Sequence, residues 1–369
     1  MFEIIPKPLN LTVTPPPSKS FLHRALICAF LSESPCEIEN IYFSKDIEAT
    51  YNILNSVKKN KKAKLNAYES GSTLRFLIPV LSALYEENHF IFSSSLGSRP
   101  LEEYFKIFRQ QNIYYKKDSE NLIIKGRLKP DTFYIDCSLS SQFITGLLLI
   151  CPLLDGNSEI IITGDIISLS YINITLDVLK SFGVKIHTDK NRFIIKGNQK
   201  YYCPRYKAEA DWSSGAFWHF MKTKHNIKIL GLNENSLQGD RVALDIIKDF
   251  PSVISCKNCP DIVPCLVAYS ISINKKIIIK DCNRLKYKES DRLFALNEFK
   301  KLGADIICED DCIRVGNRHS LKSGFLRSFN DHRILMAYIL FAYLTGITVT
   351  CDSMNPISKS YPTLPDILK

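Results

Sequence analysis

The chain has 369 residues, a formal net charge of +10 at pH 7, 45% hydrophobic residues and 23% charged residues. This composition excludes a disordered or collagen-like chain, and the length is enough for two domains with sizeable cores. The positive charge comes from 34 Lys and only 14 Arg. Because no run of basic residues with interleaved aromatic residues stands out beyond 60–64, we expect small anions rather than nucleic acid as partners.

Twelve cysteines and seven histidines are dispersed along the chain. Cys256 and Cys259 form the one close pair, and it lacks the second pair that a structural zinc site needs. We therefore expect free thiols in a reducing cytoplasm, with no metal and no cofactor. The sequence contains neither a signal-peptide pattern nor an apolar run of 18 residues, so we expect no membrane partner.

Several predicted helices begin at clusters of hydroxyl groups and cations in the first half of the chain. TPPPSKS at 14–20 predicts a rigid turn followed by an amphipathic helix, with Ser18, Lys19 and Ser20 at its start and Arg24 one turn in. Hydroxyls, backbone N–H groups and cations at a helix N-terminus suit a phosphate or carboxylate. The same design recurs in ESGSTLR at 69–75, GSRP at 97–100, DCSLSSQ at 136–142, and Ser168 with Tyr171.

The second half of the chain repeats this design with acidic residues added. The stretch 285–303 predicts a helix that starts at Asp291 and stops at Gly303, with an apolar residue at every third position. Lys288, Glu289 and Arg292 lie at its start, where cations beside a carboxyl group can hold an anion next to a proton donor. Comparable segments are DWSSG at 211–215, Asp261 in NCPDIVPCLVAYS, NDHR at 330–333, and Lys359 in SKSYP.

Three helix ends run into hairpins of one type, which finish at Gly126, Gly197 and Gly316. Such spacing predicts about six repeated α/β units of ~60 residues. Taken singly, each polar helix start is explained by an ordinary N-cap or a solvated cation. Five of the 14 arginines fall in these clusters, however. If the helices point their N-termini into one cleft, their dipoles and cations sum to a positive field that favours polyanionic ligands.

These motifs also carry a family resemblance that covers nearly the whole chain. SKSFLHRAL, ESGSTLR, GSRPL, SSQF, DWSSG, KESDR, NDHR and SKSYP occur in the order seen in the 5-enolpyruvylshikimate-3-phosphate synthase family of the shikimate pathway. The resemblance implies an α/β (α+β) fold of two similar domains, each with three β-α-β-α-β-β units and with helix N-termini facing the inter-domain cleft. It implies a shikimate-phosphate-binding domain at 18–209 and a phosphoenolpyruvate-binding domain at 210–369 that includes strand 1–17.

The resemblance implies transfer of the enolpyruvyl group of phosphoenolpyruvate to the 5-hydroxyl of shikimate 3-phosphate, on the route to chorismate and the aromatic amino acids. The implied catalytic residues are Lys19, Asp261 and Glu289. The implied ligands of shikimate 3-phosphate are Lys19, Ser20, Arg24, Ser140, Ser141, Gln142, Ser168, Tyr171, Asp261 and Lys288. The implied ligands of phosphoenolpyruvate are Lys19, Gly71, Arg99, Gln142, Arg292, Arg333 and Lys359.

The resemblance also implies a monomer and a target for the herbicide glyphosate, since Gly71 keeps the small residue that leaves room for it. The sequence departs from the family pattern at Glu69, where Asn is frequent, at Leu22, where Ser is common, and at Lys286 and Tyr287, which replace Arg-Val.

Three alternatives remain open at this point. The sister enzyme that transfers enolpyruvyl to UDP-N-acetylglucosamine shares the fold, but it usually carries a reactive Cys before an Arg-Pro, and 90–100 has none. An inactive phosphometabolite-binding homologue is disfavoured by the intact set of Lys19, Asp261, Glu289 and Lys359. An RNA-binding scaffold is disfavoured because stacking aromatics are not found beside the lysines.

Overall fold

The computed structural model describes residues 1–61, 63–138, 140–164, 168–318 and 320–369. The chain folds as two compact units. The discontinuous unit comprises Met1–Pro16 and Glu209–Lys369, and the continuous unit comprises Pro17–Ala208. Each unit has its own hydrophobic core and mixes helices with strands, which confirms the predicted α/β class.

The strands are short, and most helices alternate with them along the chain. In chain order the strands are β1 (Phe2–Ile4), β2 (Asn10–Val13), β3 (Glu37–Ile38), β4 (Lys64–Tyr68), β5 (Glu87–Phe92), β6 (Tyr114–Lys117), β7 (Asn121–Lys125), β8 (Thr132–Asp136), β9 (Ser158–Thr163), β10 (His187–Asp189), β11 (Arg192–Ile195), β12 (Arg205–Tyr206), β13 (Asn226–Ile229), β14 (Val253–Ser255), β15 (Ile277–Lys280), β16 (Ile306–Cys308), β17 (Cys312–Val315), β18 (Gly324–Leu326) and β19 (Val349–Cys351). The α-helices are α1 (Lys19–Leu31), α2 (Lys45–Lys59), α3 (Gly71–Leu84), α4 (Ser94–Gly97), α5 (Glu102–Gln110), α6 (Gln142–Leu148), α7 (Leu169–Ser181), α8 (Trp212–Lys222), α9 (Ala243–Asp249), α10 (Val263–Ser272), α11 (Arg292–Leu296), α12 (His332–Thr345) and α13 (Leu364–Ile367). Short 3-10 helices cover Cys151–Leu153, Gly239–Val242, Asn283–Tyr287, Asn297–Leu302 and Asn355–Lys359.

Three four-stranded sheets share one topology. Their strand orders are β4-β5-β7-β6, β8-β9-β11-β10 and β14-β15-β17-β16. In each, the first two strands are parallel and joined through a helix, because a parallel pair needs a crossover connection. The last two strands form an antiparallel hairpin. These are three complete β-α-β-α-β-β units, and their hairpins are the three predicted from sequence.

The remaining sheets are smaller, and each also contains one parallel pair of strands. In the discontinuous unit β18 and β19 are parallel with α12 between them, and β1 pairs antiparallel with β19. Two-stranded parallel pairs, β3 with β12 and β2 with β13, complete the two units. In both pairs the partners lie far apart in sequence, so each pair closes its unit by a long-range contact.

The predicted helix in 285–303 is present, with one difference in geometry. Asp291 caps α11 by accepting a hydrogen bond from Phe294 N at 3.0 Å. The apolar positions are buried, and Gly303 ends the segment at φ +91°. The second half, Asn297–Leu302, is a 3-10 helix. Its first residue donates a side-chain hydrogen bond to the Leu293 carbonyl at 3.0 Å, which competes with regular α-helical bonding.

Three helices, α3, α10 and α12, are buried along most or all of their length, including their first turns. In α12, every residue from His332 to Leu344 is buried, and α3 and α10 are buried over most of their length. All twelve cysteines lie in described positions and carry free thiols, as predicted. Within the ranges that the structure describes, we find no helix that is both long and apolar enough to cross a membrane.

Candidate functional site

Arg24 joins three helices of the continuous unit. Its Nε donates to Thr175 Oγ1 at 2.8 Å, and its Nη2 donates to Thr145 Oγ1 at 3.3 Å and to the Tyr171 carbonyl at 3.1 Å. Its Nη1 donates to the Ser20 carbonyl at 2.6 Å. Arg24 lies on α1, Thr145 on α6, and both Tyr171 and Thr175 on α7. The N-terminal halves of these helices therefore converge on one guanidinium group.

This guanidinium group is a buried cation among neutral partners. Its side chain is 2% exposed, and none of the carboxylates in the described part of the chain pairs with it. Burial lowers the pKa of Arg24 to about 10, so the group remains charged at neutral pH. A solvated surface arginine is thus excluded. A buried cation that has hydrogen bonds but no counter-ion is suited to receive an anion.

The predicted hydroxyl and amide groups lie around the same helix starts. Ser141 is the N-cap residue of α6 without a side-chain capping bond, and Gln142 N donates to Ser140 Oγ at 3.2 Å. Ser168 is the N-cap residue of α7, is buried, and has a left-handed φ of 59°. α6 packs against α7, and α7 packs against α1. The structure therefore brings these groups to the end of the helices where Arg24 lies.

A second cluster of the continuous unit is built around Arg75. This residue was noted in the sequence only as a cation one turn into a helix, and the structure shows that it is buried. Its Nη1 donates to Gln142 Oε1 at 2.8 Å, and its Nη2 donates to the Pro100 carbonyl at 3.1 Å. Gln142 Nε2 in turn donates to Ser72 Oγ at 2.9 Å. Arg75 thus ties the start of α6 to the segment that carries Arg99.

Gly71 and Arg99 meet closely in this cluster. A Cβ atom added to Gly71 would lie 2.9 Å from Arg99 Nη1. The two arginines are near enough to repel each other, since burial and then the charge of Arg99 lower the pKa of Arg75 to about 10. Two neighbouring guanidinium groups and a glycine without a side chain leave space and positive charge for a small anion. Lys19, at the start of α1, forms an ion pair with Asp46 at 2.6 Å.

The discontinuous unit is organised by a buried ion network on Arg292. The guanidinium group is 2% exposed and binds two carboxylates. Its Nε donates to Asp331 Oδ2 at 2.8 Å, its Nη2 donates to Asp331 Oδ1 at 3.3 Å, and its Nη1 donates to Asp261 Oδ1 at 2.9 Å. Asp331 also caps α12 by accepting from Arg333 N at 2.8 Å. One ion network therefore fixes the starts of α11 and α12 and the Asp261 side chain.

Asp261 is held as a carboxylate by several cations. Burial alone would raise the pKa of this group, but Lys288, Arg292 and Arg333 outweigh burial and hold it well below the usual range. Lys288 Nζ lies 3.6 Å from Asp261 Oδ1. Burial lowers the pKa of Lys288 to about 8, although the charge of Asp261 opposes this effect. An ionised carboxylate next to an ammonium group of lowered pKa can accept a proton from a bound hydroxyl.

Glu289 has a different set of partners from Asp261. Its carboxyl group lies 2.9 Å from His332 Nδ1, and Lys359 Nζ lies 3.6 Å from Glu289 Oε2. Lys359 is buried and also donates to the Asn330 carbonyl at 2.5 Å. The carboxyl–imidazole pair can carry a proton between two heavy atoms at hydrogen-bond distance. Two carboxyl groups of one unit are therefore placed in different environments, as acid–base chemistry requires.

Arg333 is a buried cation that forms no ion pair with any carboxylate among the residues that the structure describes. Its side chain is 4% exposed, and the partner of its Nη1 is Met336 Sδ at 3.9 Å. Its Nε is buried without a hydrogen-bond partner in the part of the chain that the structure describes. Burial acts to lower the pKa of Arg333, but the nearby charges of Asp261, Asp211 and Asp240 raise it. The forked donor set of this guanidinium group is thus available for a carboxylate or phosphate.

Comparisons with known proteins agree with this geometry. The family model for EPSP synthase (3-phosphoshikimate 1-carboxyvinyltransferase) matches residues 4–66, 54–258 and 251–368. The chain is 40% identical to the 3-phosphoshikimate 1-carboxyvinyltransferase of Clostridium kluyveri, over 98% of this chain and 94% of that protein. It is 39% identical to the enzyme of the same name from Clostridioides difficile, with the same coverage.

The chain belongs to the EPSP synthase family. The family inferred from the sequence motifs is therefore confirmed. Solved structures share the fold at low identity: EPSP synthase from Acinetobacter baumannii has a TM-score of 0.78 at 18% identity, covering 99% of this chain and 96% of that one. The enolpyruvyl transferase NikO from Streptomyces tendae has a TM-score of 0.74 at 16% identity, with the same coverage.

The structure groups the predicted site residues of this EPSP synthase family member within each unit. In the continuous unit the grouped residues are Lys19, Ser20, Arg24, Gly71, Arg99, Ser140, Ser141, Gln142, Ser168 and Tyr171. In the discontinuous unit they are Asp261, Lys288, Glu289, Arg292, Arg333 and Lys359. The sequence analysis did not select Arg75, Asp331 or His332 as site residues. The motifs ESGSTLR and NDHR contain all three, so the available signal was their position beside residues already selected.

Glu289, Asp331 and His332 also place their ligand atoms within 4.8 Å of one another, close enough to share a metal ion. Asp331 is, however, already bound by Arg292 through two hydrogen bonds, and Lys359 lies 3.6 Å from Glu289. These cations supply the positive charge that a metal ion would otherwise bring. The donor set is therefore better explained as part of the ion network than as a metal site.

The buried network predicts that substitutions at two arginines differ in their effect on the stability of the protein. We expect Arg292→Lys to lower the free energy of unfolding by about 1–3 kcal/mol, because one ammonium group cannot replace three directed donors and leaves buried acceptors unsatisfied. Arg314 is the matched control, since it forms an exposed pair with Glu309 at 3.4 Å. We expect Arg314→Lys to change stability by less than about 0.5 kcal/mol. Urea unfolding measures both, and equal midpoints for the two variants would contradict the role given to Arg292.

Proposed function

We propose that this protein transfers the enolpyruvyl group of phosphoenolpyruvate to the 5-hydroxyl of shikimate 3-phosphate and releases phosphate, a step toward chorismate and the aromatic amino acids. The observation that carries this proposal is the pair of carboxyl groups in the discontinuous unit. Asp261 is kept ionised by three cations, and Glu289 shares a hydrogen bond with His332. Membership of the EPSP synthase family supports the choice of substrates.

The chemistry of the reaction explains why both carboxyl groups are needed. Carbon 2 of phosphoenolpyruvate, an enol phosphate, becomes electrophilic only when its methylene carbon takes up a proton. The attacking hydroxyl must lose a proton in the same step, and the product is a tetrahedral adduct that still carries phosphate. Loss of a proton from the new methyl group then expels the phosphate and restores the double bond. The site must supply an acid and a base, and it must neutralise several anionic groups.

We assign the proton acceptor to Asp261 and the proton donor to Glu289. Asp261 can act as the acceptor because it stays ionised despite burial, although the cations that lower its pKa also make it a weaker base. Lys288 stabilises that charge at 3.6 Å. Glu289 suits the donor role because His332 lies 2.9 Å away and can exchange a proton with it. Lys19 is assigned as the third catalytic residue, a cation at the start of α1.

We assign the binding of shikimate 3-phosphate mainly to the continuous unit. Its proposed ligands there are Lys19, Ser20, Arg24, Ser140, Ser141, Gln142, Ser168 and Tyr171, with Asp261 and Lys288 from the discontinuous unit. The support is the buried Arg24 guanidinium group, which has only neutral partners among the described residues. A phosphate at the uncapped starts of α6 and α7 would receive backbone N–H groups together with hydroxyls.

We assign the binding of phosphoenolpyruvate to Arg333 and Lys359 in the discontinuous unit, with Arg292 behind them. Arg333 has an unused donor set, whereas Arg292 is engaged by Asp261 and Asp331 and acts on the ligand through its charge. In the continuous unit the proposed ligands are Lys19, Gly71, Arg99 and Gln142. Arg75 supports this set, because it holds Gln142 and the carbonyl next to Arg99.

The finer expectations about partners and location belong to the same proposal. We expect a monomeric, cytoplasmic protein that works without a metal or cofactor and binds neither nucleic acid nor membranes. The domain assignment follows the binding roles. We propose that the continuous unit, corresponding to the predicted domain 18–209, binds shikimate 3-phosphate. The discontinuous unit, corresponding to 210–369 with strand 1–17, is proposed to bind phosphoenolpyruvate.

A phosphate-release assay tests the reaction directly. The purified protein is incubated with phosphoenolpyruvate and either shikimate 3-phosphate or UDP-N-acetylglucosamine. We expect phosphate release from phosphoenolpyruvate when shikimate 3-phosphate is the second substrate and none when the UDP-sugar is. The reason is that the residues proposed to bind the second substrate are those of the shikimate enzyme. Release with the UDP-sugar alone would support the sister activity, and release with neither would support an inactive binding homologue.

Two amide substitutions test the acid–base assignment. We expect Glu289→Gln and Asp261→Asn to lower kcat by ~10²–10⁴-fold each, since that is the usual contribution of a general acid or base. Substrate binding should persist, because the shapes of the side chains are kept. Steady-state kinetics and calorimetric titration with shikimate 3-phosphate measure the two effects. Near-parental kcat in either variant would remove that residue from its assigned role.

The contact between Gly71 and Arg99 predicts the response to glyphosate. We expect glyphosate to inhibit in competition with phosphoenolpyruvate, and we expect Gly71→Ala to weaken inhibition at least tenfold. The added Cβ atom would lie 2.9 Å from Arg99 Nη1, so it would push this guanidinium group away from position 71 and fill the space left by the glycine. Ser94→Ala, an exposed change nearby on α4, serves as the control. An inhibition constant unchanged by Gly71→Ala would show that this space is not used.

A further inference from the structure

A buried chain of side-chain hydrogen bonds in the continuous unit has no role in the reaction described above. His23 Nδ1 lies 2.8 Å from Thr50 Oγ1, and Thr50 Oγ1 lies 2.7 Å from Thr73 Oγ1. Thr73 Oγ1 in turn lies 2.7 Å from Ser70 Oγ and 3.2 Å from the Asp46 carbonyl oxygen. His23, Thr50 and Thr73 are at most 1% exposed, so water cannot replace these bonds. Buried polar groups linked in this way hold the elements that carry them in one arrangement.

The hydrogen atoms of the chain can be placed in one consistent order. His23 is neutral, because burial, with two nearby cations acting in the same direction, holds its pKa well below the usual range. Its Nε2 is buried without a hydrogen-bond partner among the described residues. We place the ring hydrogen on Nδ1, because His23 then donates to Thr50, Thr50 donates to Thr73, and Thr73 donates to the acceptors at the far end. Each of these three hydrogen atoms has an acceptor, and only a lone pair is left at Nε2.

The chain crosses the interface between α1 and α2 next to an ion pair. On α1, Lys19 and His23 lie one turn apart, and on α2, Asp46 and Thr50 do the same. The Lys19 ion pair of 2.6 Å and the His23 bond of 2.8 Å therefore join the two helices at successive turns. Helix α2 also packs against α3. Thr73 joins these two helices through both the Thr50 hydroxyl group and the Asp46 carbonyl oxygen.

Thr73 also fixes the first turn of α3. Its backbone N donates to the side chain of Ser70, the N-cap residue, at 3.3 Å, and its hydroxyl group contacts the same oxygen. Gly71 lies between these two residues, at the point where an added Cβ atom would come 2.9 Å from Arg99 Nη1. Because Gly71 belongs to this turn, any shift of the turn changes the space between Gly71 and Arg99.

We propose that Thr73 is a positioning residue for phosphoenolpyruvate. Its hydroxyl group holds Gly71 on α3, and the segment of α2 that carries Asp46, the partner of Lys19, in the fixed relation that the ligand requires. The proposal rests on the roles assigned to Lys19, Gly71 and Arg99 above. Thr73 is itself completely buried, so it acts through these residues and does not touch the substrate.

Thr73→Val tests the proposal, because valine has nearly the size and branching of threonine but lacks the hydroxyl group. We expect KM for phosphoenolpyruvate and the inhibition constant of glyphosate each to rise about tenfold, since a displacement of ~1 Å at a binding group can cost up to ~100-fold. KM for shikimate 3-phosphate should change by less than about twofold, because Arg24 is held by Thr145 and Thr175 instead.

Two further variants are the controls. Thr73→Ser keeps the hydroxyl group and should keep the parental KM for phosphoenolpyruvate. Ser82→Ala is the matched control on the same helix, because Ser82 is equally buried but its hydroxyl group has no hydrogen-bond partner in the part of the chain that the structure describes. This variant should leave both KM values unchanged.

Thr50→Val interrupts the same chain one step earlier, between His23 and Thr73. It should raise KM for phosphoenolpyruvate as Thr73→Val does. The double variant should be no worse than Thr73→Val alone, because the two changes remove one shared connection. Fold-changes that multiply in the double variant would show that the two hydroxyl groups act separately, and they would overturn the proposed chain.

The outcomes separate this inference from the proposed function. Steady-state kinetics, glyphosate inhibition and urea unfolding are measured for every variant, and a raised KM for phosphoenolpyruvate alone supports the inference. A merely structural role would lower the stability and the active fraction, so that apparent kcat falls while both KM values stay parental. That result overturns the inference, as does an equal rise in both KM values. If Thr73→Val does not fold, Thr50→Val decides in the same way.

The parental protein provides the remaining distinction. Absence of phosphate release from phosphoenolpyruvate and shikimate 3-phosphate would reject the proposed function and this inference with it. Parental release combined with an unshifted KM for phosphoenolpyruvate in Thr73→Val and Thr50→Val rejects the inference alone.

Discussion

The ion network of Arg292 is the interaction on which the discontinuous unit depends. A guanidinium group that is 2% exposed is stable only if directed carboxylate partners replace its hydration. Asp331 supplies two of these contacts and also caps α12, and Asp261 supplies the third. One cation therefore fixes the start of α12 and the Asp261 carboxylate together.

The two units use buried arginines in opposite ways. Arg24 is surrounded by hydroxyl and carbonyl oxygens, and burial lowers its pKa to about 10. Arg292 is surrounded by carboxylates, which raise its pKa despite burial. The charge of Arg24 is thus left for a ligand, whereas the charge of Arg292 stabilises the ionised form of Asp261. A reaction that binds anions in one place and moves protons in another needs both arrangements.

Sequence patterns were sufficient to predict where helices begin, but not which residues the side chains at those positions contact. The apolar period in 285–303, the stop at Gly303 and the three hairpins were predictable because they depend on local spacing. The pairing of Asp331 with Arg292 was not, because an Asp before a helix is explained by capping alone, and its second role appears only when α11 packs beside α12. Arg75 was not selected as a site residue for the same reason. Its importance lies in burial and in tertiary neighbours, which a single sequence does not report.

The charge of the N-cap residue differs between helices, and it is related to the charged side chains in the first turn. In the discontinuous unit α8, α11 and α12 begin with Asp211, Asp291 and Asp331, and each carboxylate accepts a backbone hydrogen bond of its helix. A negative cap neutralises the positive end of the helix dipole, which allows buried cations such as Arg292 and Arg333 to lie in the first turn.

In the continuous unit the corresponding caps are neutral. Ser70 and Ser93 accept capping bonds, whereas the N-cap serines of α1, α2, α6 and α7 make no side-chain capping bond in the ranges described. Arg24 adds a full positive charge close to α1, α6 and α7. The Asp caps of one unit and the neutral caps of the other thus accompany an arginine paired with carboxylates and an arginine paired with neutral oxygens, respectively.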